Sequence, residues 1–168
     1  LANEVVNQMQ AVVRPGTLGA GFTDCLRAGQ IEPGEDYLDK LLPLYDRARS
    51  IAEVTGDPGL NMEFRIGLCR AYRLMQNFAT ALLWAEDAVA VSARMNYRQF
   101  QAVAWIERGR TLIDLGNYTN AERDLQAAYE LSCTLGAKFD QARSSLYLAV
   151  ILSITLQQQA DEQWQKAI

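Results

Sequence analysis

The spacing Trp105-x2-Arg-Gly109-x2-Leu112-x2-Leu-Gly116-x-Tyr118-x2-Ala121-x3-Leu125-x2-Ala128 constrains this chain more than any other feature, because it returns about forty residues away on both sides. Stepping back by about forty from Leu112, Tyr118, Ala121, Leu125 and Ala128 lands on Tyr72, Phe78, Ala81, Ala85 and Ala88. A further step gives Leu38, Leu41, Tyr45 and Ala48. In the forward direction Gly109 and Leu112 map to Ala149 and Leu152, and a second helix resumes one residue early with Ala160, Trp164 and Ala167. Four units are thus expected, the last cut off at Ile168. Small residues at Gly109, Ala121 and Ala128 let two antiparallel helices approach closely, while Trp105, Tyr118 and Leu125 fill the space between units. One such unit cannot bury its apolar face alone. Stacking several in one direction buries a continuous core and leaves a concave side lined by the first helix of each pair.

The pattern resembles the tetratricopeptide repeat family, whose signature pairs a Trp/Leu/Gly first helix with an Ala/Phe/Ala second helix. Trp105, Gly109, Tyr118, Ala121 and Ala128 carry the likeness; in the other units Cys69 and Ala149 stand where Gly109 does, and Arg65 and Ser145 where Trp105 does. The period exceeds the family's usual thirty-four residues, which is similar to the longer-helix subclass of MalT-like bacterial regulators, peptide-sensing regulators and some polarity adaptors. The resemblance covers roughly residues 35–168. It implies an all-α fold, a right-handed superhelix of antiparallel helix pairs.

Hydrophobic periodicity and turn residues predict helices near 2–13, 18–30, 35–55, 60–75, 79–95, 98–115, 119–135, 139–157 and from 159 onward. The joints are Arg14-Pro15-Gly16, Glu32-Pro33-Gly34, Gly56-Asp57-Pro58-Gly59, Gln76-Asn77, Met95-Asn96, Leu115-Gly116-Asn117 and Leu135-Gly136. Pro43 falls inside the third helix and should bend it. Residues 1–34 lack the repeat and are expected to form an irregular helical cap, with Val5, Val6, Met9, Val12 and Val13 on one apolar face; residues 35–168 form the repeats. No linker divides the chain. A first residue other than methionine and a last unit that stops inside its second helix suggest a piece of a longer protein.

Several functional classes lack the residues they need. The chain has no histidine, so the usual acid/base at neutral pH is missing, and Ser144 and Ser145 have no partner base. Glu122 with Asp124 and Asp161 with Glu162 are expected on wet helix faces. Gly16, Gly19 and Gly21 follow no strand and precede no Lys-Ser/Thr, so they read as a flexible joint rather than a phosphate loop. Cys25, Cys69 and Cys133 form no C-x-x-C pair and read as small buried hydrophobes in a reducing compartment, hence the cytoplasm. No metal, cofactor or enzymatic activity is expected. A net charge of −4 and a pI near 4.9 disfavour direct nucleic-acid binding. No run of eighteen apolar residues marks a membrane span.

The resemblance also implies where a partner would lie. In the family's geometry, residues three and six places before the conserved Gly/Ala, and one and five places after it, face the groove. Here these are Glu63, Ile66, Arg70 and Leu74; Val103, Ile106, Arg110 and Asp114; and Arg143, Leu146, Val150 and Ile154. With Arg73 nearby, Arg70, Arg110 and Arg143 would line a wall suited to an acidic peptide or a terminal carboxylate. Alternatively they pair with Glu63, Glu107 or Asp114 and solubilise the surface. The chaperone-tail clamp of the family uses lysine and asparagine where this chain has Ile66, Ile106, Arg70 and Arg110, so a chaperone tail is not the expected ligand. Ile66, Ile106, Leu146, Val150 and Ile154 suggest apolar anchors on the partner. The leading expectation is a non-catalytic scaffold for a protein or peptide segment. A second is the sensor or oligomerisation module of a larger bacterial transcription regulator or signalling ATPase, and self-association through the last helix around Trp164 is a third.

Overall fold

The computed structural model describes residues 18–166, and within them every regular element is an α-helix. The helices are α1 (Leu18–Ala28), α2 (Tyr37–Thr55), α3 (Pro58–Leu74), α4 (Phe78–Arg94), α5 (Arg98–Asp114), α6 (Tyr118–Leu135) and α7 (Lys138–Lys166). The helix expected over 2–13, the joint at Arg14-Pro15-Gly16 and Ala167 lie outside the described residues.

Local chemistry sets the boundaries. Asp57 caps α3 by accepting the Leu60 N–H at 2.7 Å, with Pro58 in the first helical position, where its missing N–H costs nothing. Asn77 and Asn117 cap α4 and α6 through the N–H groups of Thr80 and Asn120. Each of α2 to α6 is followed by a residue of positive φ: Gly56, Gln76, Asn96, Gly116 and Gly136. The last four turns also close alike, Asn77 N–H on Tyr72 O, Tyr97 on Ser92, Asn117 on Leu112 and Ala137 on Ser132. These left-handed residues stand a uniform twenty positions apart, so the forty-residue period is two identical helix-and-turn steps.

The next position in that series is Leu156, and there the chain does not turn. The helices expected over 139–157 and from 159 onward are one helix, α7, running to Lys166. A left-handed leucine costs on the order of 1–2 kcal/mol, and Gln157 follows where Asn77 and Asn117 supply caps. Among the described residues the fourth unit therefore has an inner helix but no second helix folded against it. Its register positions are bare as a result: Ala149 and Leu152 are exposed, whereas Cys69, Gly109 and Leu112 are covered. Trp164 is 70% exposed.

Packing follows the register closely. Leu41, Ala81 and Ala121; Tyr45, Ala85 and Leu125; and Ala48, Ala88 and Ala128 are all buried. Gly109 admits Leu125 where a Cβ would stand 2.8 Å from its Cγ. Each helix packs on its neighbours in sequence, but beyond that α1 touches α3, α3 touches α5 and α5 touches α7, while α2, α4 and α6 make no such contacts with one another. The odd-numbered helices therefore form a continuous inner layer, and the stack curves toward it. α1, inside the segment expected to cap the stack, packs on both α2 and α3 and so serves as the first inner helix. Gly19 and Gly21 lie within α1, not in a flexible joint. α2 continues through Pro43 without a break in the helix.

Two other expectations change. Cys25 and Cys69 are buried, with their thiols pushed up to about 12 and about 11, chiefly by burial, but Cys133 is exposed. Asp124 is not on a wet face: it is buried and takes a bidentate pair from Arg108 at 2.5 and 2.8 Å. No described helix is long and apolar enough to cross a membrane.

Candidate functional site

The inner layer brings together residues from α3, α5 and α7 around one carboxylate. Glu107, in the middle of α5, is 1% exposed. Arg70 of α3 donates Nε and Nη2 to its Oε1 at 2.9 and 2.7 Å, and Arg143 of α7 donates Nη2 to the same oxygen. Arg110, one turn along α5, reaches Oε2 at 3.4 Å. A single acid thus ties three consecutive inner helices. Burial alone would raise its pKa, but the charge and hydrogen bonds of Arg70, with the charges of Arg110 and Arg143, outweigh that and hold it below the usual carboxylate range. Arg70 is in turn held above its ordinary value: burial opposes the charge, and Glu107 more than compensates.

The second tier is Arg73, which donates Nη1 to Asp114 at 3.3 Å, and Asp140, which accepts from Arg143 Nη1 at 3.4 Å. Arg110 stacks on Tyr147 at 4.8 Å and Arg143 on Phe139 at 5.6 Å from the ring centres. Four arginines (70, 73, 110 and 143) share three carboxylates (107, 114 and 140) in direct ion pairs, and Glu63, outside those pairs, stands beside Arg70 as a fourth acid. The strain shows at Arg110, whose pKa is lowered by burial and by the like charges of Arg73 and Arg143. The Nε groups of Arg73 and Arg110 are also buried without an acceptor.

Of the residues assigned to the groove by register, the structure gathers Arg70, Arg73, Arg110, Asp114 and Arg143 into this cluster. Val150 is partly exposed at the position on α7 equivalent to Arg70 and Arg110, and Leu74 is exposed at the end of α3. Ile66 and Ile106 are corrections: both are core residues. Ile66 packs with Met62, Ala88, Val91 and Ala104, because this register position points to the following unit and not into the groove. Leu146 shares that register and is 60% exposed, with no described residue packed on it from a following unit. It lies on the face by which one unit meets the next, not on the concave wall. Glu63 makes no ion pair or hydrogen bond with another described residue and lines a recess beside Arg70.

Glu107 itself was visible in the sequence only as one of three acids the arginines could meet. Its position repeats as Gly67 and Tyr147 in the adjacent units, so no pattern singled it out. Among the described residues no three His, Cys, Asp or Glu side chains gather where they could hold a metal ion. No protein-family model and no curated protein sequence matches the chain.

Proposed function

We propose that this chain is a non-catalytic scaffold of tetratricopeptide type whose inner face binds an extended protein segment. The observation that carries this reading is the arginine cluster across α3, α5 and α7, in which four guanidinium groups meet only three carboxylates in direct pairs. Such a wall suits one carboxylate, a chain terminus or a single acidic side chain, better than a run of acids, because Glu107, Asp114 and Asp140 already neutralise most of it. Arg70 keeps its Nη1 hydrogens unspent and is 44% exposed, so it can donate without leaving Glu107. Leu74 and Val150 flank the cluster and supply apolar contact for residues beside that carboxylate.

The test is selection from a displayed peptide library, followed by anisotropy titrations of the selected peptides. Leu74→Asp with Val150→Asp, both at exposed positions, should weaken binding by about tenfold or more, the effect of losing central contacts. Leu83→Asp on the exposed outer face of α4 should leave it unchanged. Equal binding to both variants would overturn the reading.

A further inference from the structure

A second site lies at the start of the inner layer. A cavity of about 560 Å³ opens between α1, α2 and α3. Phe22, Leu26, Tyr37, Tyr45 and Leu74 give it apolar walls, and Glu63 and Arg70 stand on the same face of α3. Seven residues separate these two, roughly 10 Å of helix rise, and between them Gly67 presents bare backbone. That bareness is required, because a Cβ at Gly67 would lie 2.1 Å from the Tyr45 hydroxyl. The phenol slots over the helix and forms part of the cavity wall.

The charges here do not balance internally. Arg70 pairs with Glu107, and no described residue pairs with Glu63. Burial raises the Glu63 pKa, with the Arg70 charge only partly opposing it, so the ionised acid is held in the cavity at a cost. The neighbouring thiol and phenol stay neutral: Cys25 is pushed up to about 12 by burial, with Glu63 and Asp24 adding, and Tyr45 is also raised, mainly by burial. A carboxylate set among two tyrosines and a phenylalanine is the environment that a positively charged nitrogen on an apolar body would complete.

We propose that this cavity binds an organic ammonium group carried on an aromatic or aliphatic body, with the nitrogen on the Glu63 carboxylate and the body against Phe22, Tyr37 and Tyr45. The cavity shares Arg70 and Leu74 with the inner face, but its ligand group is Glu63, so it does not rest on the peptide reading. The ammonium could belong to a free amine or to a lysine side chain of a bound protein.

Isothermal titration of the whole chain with phenethylamine, phenethyl alcohol and 3-phenylpropionate tests it. Phenethylamine should bind saturably and more tightly than the other two. Glu63→Gln should weaken it by about tenfold or more, the loss of a charged hydrogen-bond partner, while Glu63→Asp should retain most of the affinity. Both substitutions are at a partly exposed position, and equal melting temperatures verify that the fold is intact. Displacement of phenethylamine by a blocked lysine tripeptide would support the site with a protein as its ligand source; failure to displace would support it with a free amine. Absence of saturable phenethylamine binding, equal binding of the alcohol, or unchanged binding to Glu63→Gln would each overturn the proposal.

Discussion

Glu107 is the residue on which the inner layer converges, and its energetics follow from its burial. A buried ion pair adds little net stability compared with an apolar core, yet removing one partner leaves the other charges uncompensated. Glu107→Ala strands Arg70, Arg110 and Arg143 together, so the variant should lose about 3–5 kcal/mol in urea unfolding; a loss below about 1 kcal/mol would contradict the hub. The pH dependence has a definite sign. Because the folded-state pKa of Glu107 is depressed, its contribution is complete above the ordinary carboxylate value and is lost as pH falls through the lower folded value. Glu107→Gln should therefore flatten the acid limb of the stability profile. Glu63 has the opposite sign: its raised pKa means that stability declines as pH rises through the folded value. The arginines were legible in the sequence as a group. Their partner was not, because the choice among Glu63, Glu107 and Asp114 is made by proximity across three helices.

At the scale of elements, the twenty-residue step explains both the regularity of α2 to α6 and the length of α7. Gly56, Gln76, Asn96, Gly116 and Gly136 turn the chain; Leu156 does not. The sequence pattern of small and large residues ran on through Ala160 and Trp164, which is why a further helix was expected there. Apolar periodicity says which face of a helix is covered, but a turn needs a residue tolerant of positive φ and a cap, and those are absent after Thr155. Leu156→Gly with Gln157→Asn restores both. Helical 13C secondary shifts should then be interrupted at 156–157, and Trp164 fluorescence should shift to the blue as the last segment folds back onto Ala149 and Leu152. An uninterrupted helix in this variant would show that something other than the missing turn keeps α7 straight.

On the scale of the whole molecule, the sequence register predicted the all-helical stack and its alternation of inner and outer helices. It was less reliable for the face of each inner helix. Ile66 and Ile106 belong to the core, Ile66 packing on Ala104 of the following unit, and the same position in α7, Leu146, is exposed. The inner face that remains is polar at its centre, around Arg70, Arg110 and Arg143, and apolar at Leu74 and Val150. We propose this face as the one that recognises a partner, and an amide chemical-shift map of the chain titrated with the tightest selected peptide tests it. The perturbed signals should cluster on α3, α5 and α7 around Leu74, Arg110 and Val150; a map centred on the outer helices α4 and α6, or on α7 near Trp164, would place the partner elsewhere and overturn the proposal.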